Sequence, residues 1–280
     1  MIFTYVQFLI VFLGIPLLLF GLLAWHDARR GRTLPASLHS WPATGVVAAH
    51  VVVAVLYTTL WDNYLVATGV WWYDAELIAG IVLGWVPLEE YIFFVVQTVT
   101  TSLWLLWLAR RLTPVSSPAT GAPGRATRIR RIAVATVAAL WLTSVALLAA
   151  AWRPATYLAL ILAWALPPVL FQLAFGGDIL WRHRNLVAWS LVPATLYLSL
   201  ADSLAISGGI WTIDPDQSTG LFLGVLPLEE FVFFLLTNTL VVFGVILVLA
   251  QESQDRVPPS LRTWLRRLAP GRPSRSVING

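Results

Sequence analysis

Seven stretches of this chain are each long and apolar enough to cross a lipid bilayer, and that count restricts the fold more than any other feature. They are residues 3–25, 42–61, 78–108, 132–151, 155–175, 186–206 and 221–250. A membrane span needs roughly 20 mostly apolar residues. At 58% hydrophobic and 11% charged residues over a length of 280, the chain is too apolar for a water-soluble domain. The expectation is an all-α membrane protein with seven transmembrane helices.

Arginine sets the orientation. All 18 basic residues are arginines. The first, third and fifth connections and the C-terminal tail hold 17 of them, and the connections on the other side hold only Arg153, beside Asp62, Asp74, Glu76, Asp214 and Asp216. By the positive-inside rule the N-terminus is outside and the C-terminus cytoplasmic. The localisation expected is therefore the cell membrane, crossed many times, with membrane lipids as partners. The first span has no basic residue before it and no small-residue cleavage site after it, which reads as a retained helix and not a signal peptide. Residues 113–125, rich in proline and glycine, read as a cytoplasmic linker. In the tail from Val257, Arg262, Arg266 and Arg267 alternate with Leu261, Trp264, Leu265 and Leu268. That pattern fits a short amphipathic helix on the inner leaflet or a solvated basic tail.

Several functions are excluded. Without lysine no Schiff base can form, so a retinal-type protein is out. Without cysteine there is no thiol nucleophile or thiolate metal site. No nucleotide-binding or serine-hydrolase signature is present, and neither a cofactor nor a metal is expected. A nucleic-acid partner is not expected either, because the arginines sit where membrane topology places them.

The second half of the chain repeats the first. Subtracting 140 brings Asp202 onto Asp62, Gly209 onto Gly69, Trp211 onto Trp71, Asp214 onto Asp74 and Gly224 onto Gly84. It also brings Leu228-Glu229-Glu230-Phe231-Val232-Phe233-Phe234 onto Leu88-Glu89-Glu90-Tyr91-Ile92-Phe93-Phe94 without a gap. Upstream, Tyr157 and Pro168 match Tyr5 and Pro16 at an offset of 152. Such agreement indicates duplication of a three-span unit. An odd number of spans would invert the second copy, but the extra span at 132–151 restores its direction, so the two repeats run parallel. The domains expected are residues 1–112, the first repeat; 113–154, linker and connector helix; 155–256, the second repeat; and 257–280, the basic tail.

Each repeat places two adjacent glutamates inside an apolar segment. Residues 78–108 as one helix would measure about 46 Å, against hydrocarbon about 30 Å thick. Either a tilted, kinked helix runs through, or residues 76–86 form a separate partial insertion and a full helix starts at Pro87. In the second case the glutamates meet the positive end of the helix dipole. Apolar flanks on both sides predict enclosed carboxyls, and intramembrane acids are functional by default. Neighbouring residues point about 100° apart, so at most one glutamate of each pair can aim into a shared cavity.

A carboxyl withdrawn from water is a usable acid, and aromatic faces stabilise cations without attacking them. That combination suits protonation of an alkene. Glu89, Glu90, Glu229 and Glu230 are the candidate acids, and Phe93, Phe94, Phe233 and Phe234, with Tyr91 and Trp85, the candidate cation lining. Asp62 and Asp202 are candidate supporting residues, the alternative being outer-interface or capping roles. Trp71, Trp72 and Trp211 fit an interfacial belt, and His50 reads as a bonded structural residue.

Seven spans, an internal duplication and the doubled Pro-Leu-Glu-Glu motif resemble the small integral-membrane lycopene cyclases of carotenoid synthesis, in the form where two small subunits are fused into one chain. The resemblance covers nearly the whole sequence. It implies proton addition to the terminal double bond of an acyclic lycopene end, attack of the next double bond on the tertiary cation, and proton loss to give a β-ionone ring. There is no net redox change. Lycopene or a related acyclic carotenoid is the implied partner, together with other carotenoid-pathway enzymes, and the implied enzyme class is an intramolecular lyase or isomerase. Carried onto matching positions it implies one of the four glutamates as acid and a second, ionised one as cation stabiliser or base. The rivals are a proton-coupled transporter or channel for a lipophilic solute, and a related carotenoid hydratase or ε-cyclase.

Overall fold

The computed structural model describes residues 3–112 and 123–260. The linker up to residue 122 and the tail pattern at 261–268 lie outside the described residues. Among those described, seven helices are long and apolar enough to cross a membrane. They are α1 Tyr5–Arg29, α2 Ala43–Ala67, α3 Leu88–Ala109, α4 Pro123–Ala149, α5 Thr156–Arg182, α6 Arg184–Ser207 and α7 Leu228–Leu249. A short α8, Gln251–Arg256, follows α7.

Helices α3 and α7 form the centre. In each, 56% of the most apolar window is buried, against 6% in α4. Helix α3 packs on α1 and α2, α7 packs on α5 and α6, and the two central helices touch each other. Helix α4 lies chiefly on α5. A polar seam runs between the central helices: Gln97 Nε2 donates to Thr237 Oγ1 at 3.0 Å, and Thr101 Oγ1 to Asn238 Oδ1 at 2.9 Å. Gln97 and Thr237 are 140 residues apart. Each such interhelical bond in a membrane protein contributes about 0.6 kcal/mol.

The third apolar stretch takes the second of the two forms open to it. Strands β2 Val82–Leu83 and β3 Val86–Pro87 make a hairpin, and α3 begins only at Leu88. Proline in a helix interior would lose a hydrogen bond and clash with the preceding turn. Gly84, with φ +72°, supplies the left-handed residue of the two-residue hairpin turn. The second half repeats this with Gly224 at φ +69° and strands β5 Phe222–Leu223 and β6 Leu226–Pro227 ahead of α7. The all-α expectation is thus met with these short strands added.

One further strand pair joins the halves. Strand β1, Trp71–Tyr73, runs antiparallel to β4, Trp211–Ile213, and the register pairs Trp72 with Thr212, its counterpart 140 residues on. The opposite end of the bundle is tied by arginines. Arg111 forks onto Asp27 at 2.7 and 2.8 Å, and Arg256 forks onto Asp178 at 2.5 and 2.9 Å. These carboxylates close α1 and α5, and further arginines stand within 4 Å of each.

Candidate active site

The hairpin ahead of each central helix fixes where the glutamates sit. Because α3 starts at Leu88 and α7 at Leu228, all four glutamates fall in a first turn, where free backbone N–H groups and the dipole favour carboxyl oxygens. The angular step between neighbours then separates their roles. Glu89 Oε1 turns back to accept from the backbone N–H of Ala79 at 2.5 Å. Glu229 Oε1 accepts from the N–H of Thr219 at 2.6 Å and from its hydroxyl at 2.7 Å. Both carboxyls are fully buried and hold their own preceding loop to the helix start.

Glu90 and Glu230 point the other way, into one chamber that both line. Glu90 Oε2 accepts the Tyr5 hydroxyl in a short bond and the Tyr73 hydroxyl at 3.2 Å. Glu230 Oε1 accepts the Tyr157 hydroxyl at 2.5 Å. Tyr5 and Tyr157 are the pair that the 152 offset aligned, and each opens the first helix of its half. The aromatic contacts cross over. The Tyr5 ring lies 5.1 Å from Trp211, and Tyr157 lies 5.2 Å from Trp71.

Between these groups is a chamber of about 40 Å³. Glu90 and Glu230 are both in its wall, with Phe93, Phe233 and Phe234 beneath them and Asp202 at the side. Asp62 and Asp202 are each 1% exposed and within electrostatic reach of both glutamates. Asp62 Oδ2 and both oxygens of Asp202 meet no hydrogen bond of good geometry, although the Trp211 indole stands beside Asp202. The chamber wall therefore offers three carboxyls, Glu90, Glu230 and Asp202, against aromatic faces that tolerate positive charge, while Asp62 is buried outside its lining.

Several expected residues are placed elsewhere. Trp85 is 64% exposed on the hairpin turn, its N–H donating to Asn63 Oδ1, and does not line the chamber. Tyr91 gives its hydroxyl to the Leu83 carbonyl, and Phe94 packs edge-on to it, facing a neighbouring cavity. Trp71 and Trp211, brought together by the β1–β4 pair, line the chamber, whereas Trp72 is exposed. His50 has its Nδ1 on the Val46 carbonyl at 2.7 Å, as a bonded structural residue would. Among the described residues no three His, Asp or Glu side chains are grouped to hold a metal. Sequence reasoning missed Tyr5, Tyr73 and Tyr157 as site residues. The repeat alignment carried the signal for two of them, and position 73, where the second half has Ile213, carried none.

Seven membrane-length helices and a buried chamber of carboxyl, tyrosine and aromatic side chains define an integral-membrane protein with acidic groups enclosed at its centre. The chain belongs to the lycopene cyclase family, whose model matches residues 1–108 and 132–249. It is 37% identical over 246 residues to a lycopene beta-cyclase of Halobacterium salinarum strain R1, covering 87% of this chain and 95% of that one, and equally similar to the one from strain NRC-1. It is 38% identical over 202 residues to a bifunctional lycopene cyclase/phytoene synthase of Podospora anserina, covering 71% of this chain and 34% of that one. No solved structure matches the chain. Family membership does not favour the transporter or channel reading.

Proposed function

We propose that this protein is a lycopene β-cyclase of the cell membrane, an isomerising enzyme that converts acyclic lycopene ends to β-ionone rings. The observation that carries this is the convergence of Glu90 and Glu230, each held by a tyrosine hydroxyl, on one aromatic-walled chamber. A protonated carboxyl of this pair adds its proton to the terminal double bond of the substrate. The electron pair of that bond forms the new C–H bond and leaves a tertiary cation. The next double bond attacks the cation, closes the ring and moves the charge to a ring carbon. The second carboxyl, as carboxylate, takes the proton from the carbon just joined, and the C–H electrons become the ring double bond. Protons in and out balance and no electron is transferred to or from the substrate.

Tyr5, Tyr73 and Tyr157 hold the reacting carboxyls in place. Phe93, Phe233 and Phe234 face the cation, and their quadrupoles stabilise it without offering a nucleophile. Asp202 stands in the chamber wall beside these groups. We further infer that the halves are parallel repeats related across the β1–β4 pair, with that end outside the cell and the arginine end in the cytoplasm. Contacts between counterparts 140 residues apart support the first inference, and the arginine distribution supports the second. Pigment analysis of a lycopene-accumulating bacterium expressing the protein tests the whole reading, because it reports substrate, ring type and ring number together.

A further inference from the structure

The chamber is too small for its substrate as it stands. About 40 Å³ admits only a few water-sized spheres, whereas an acyclic carotenoid end is followed by a long rigid polyene. A wall must yield, and a path must lead away from it. Two larger apolar cavities flank the chamber, of about 410 and about 390 Å³. They occupy corresponding places in the two halves. Ala194 and Tyr197 line the first, and Ala54 and Tyr57, 140 residues earlier, line the second. Each cavity shares one wall residue with the chamber, Leu198 for the first and Phe233 for the second.

The two necks differ. Phe233 is stacked on Trp61 at 5.7 Å and 7° and on Trp164 at 6.3 Å and 23°, and the two indoles stack on each other at 4.4 Å. Moving Phe233 disrupts three rings at once. Leu198 is a buried aliphatic side chain outside that aromatic stack, so displacing it breaks no ring contact. Each wall holds one buried polar atom without a partner, and Gln97 lines both cavities. In the first cavity the Gln97, Thr101 and Tyr197 polar groups are engaged with Thr237, Asn238 and the Phe12 carbonyl, leaving the Thr100 hydroxyl without a partner. The second is lined by His50 and by Gln172, whose amide oxygen is buried without a partner. Backbone irregularity occurs on both sides, with Pro168 of α5 in the wall of the second cavity. Residues Leu9–Gly14 of α1 form a π-helical stretch that runs into the wall of the first cavity at Phe12 and Leu13, a distortion frequent at functional sites.

We propose that the polyene arm of the substrate leaves the chamber past Leu198 and lies in the cavity between α1, α3 and α6, with Ala194 and Leu198 as specificity-determining residues. From Glu90 to Trp104, fourteen residues of α3 cover about 21 Å, so chamber and cavity form one apolar run of that length. The proposal rests on the cyclase reading.

A matched series tests it: Ala194→Val, Ala194→Leu and Ala194→Trp against the same three substitutions at Ala54. Each is assayed for ring formation in a lycopene-accumulating host and for membrane level and unfolding temperature in detergent. The expected result is a graded loss at 194, reaching on the order of a hundredfold for a displaced substrate, with Ala54 variants within about twofold of wild type. If Ala194→Trp does not accumulate, Ala194→Leu decides. Equal losses at the two positions, loss confined to 54, or no loss at either would overturn the proposal. Wild-type conversion is read in the same host, so failure of the cyclase reading, with no ring product from any chain, is distinct from failure of the arm assignment.

Discussion

Adjacent glutamates have different work in this protein, and the difference follows from where a helix begins. Glu90 and Glu230 reach the chamber; Glu89 and Glu229 bind their own loops. Removing a positioned proton donor costs about 10²- to 10⁴-fold in rate, and that loss is expected for Glu90→Gln and for Glu230→Gln at normal membrane levels. Glu229→Gln should instead lower stability by about 1–3 kcal/mol, the worth of buried groups left unpaired, read as a lower unfolding temperature with residual ring formation. Tyr157→Phe should reduce turnover about 10- to 100-fold, matching the worth of a hydrogen bond to a charged group. At this scale the sequence was partly legible. The doubled motif and the angular step showed that one carboxyl of each pair could enter a shared site. Which one depends on the first residue of α3, and two alternatives were open there. The tyrosine partners come from α1, α5 and strand β1, whose docking no local pattern encodes.

At the scale of elements, the irregular pieces position the chemistry. Pro87 and Gly84 sit in the hairpin before α3, the glycine at positive φ in its turn, and Pro227 and Gly224 do the same before α7. The helix count and most boundaries were legible because spans of this length are dictated by hydrocarbon thickness. The hairpins, the π-helical stretch in α1 and the two Asp–Arg clamps were not. Arginines in such a chain read first as topology signals, and Asp27 and Asp178 are short side chains in apolar helices with distant partners. Asp27 is fully buried with Arg111 forked onto it. Leaving a buried charge unpaired costs about 3–5 kcal/mol, so Asp27→Ala should fall by that amount in detergent unfolding measurements while Arg32→Ala, at an exposed arm of the same cluster, changes little.

For the whole molecule, the site belongs to neither half. Tyr5 and Glu90 come from one, Tyr157 and Glu230 from the other, and the strand pair at Trp72 and Thr212 holds them face to face. Residues 1–112 or 155–280 expressed alone should therefore form no ring, and ring formation by either half would show a self-sufficient site. The absence of cysteine makes orientation directly measurable. A cysteine placed at Asp216 should react with impermeant reagents from outside intact cells, and one at Arg128 only after lysis. The most direct test of the central claim is the carotenoid composition of a lycopene-accumulating bacterium carrying the wild-type chain, Glu90→Gln or Glu230→Gln. β-Ring product from the wild type and unconverted lycopene from both variants at equal membrane levels is the expected result, and full ring formation by both variants would contradict it.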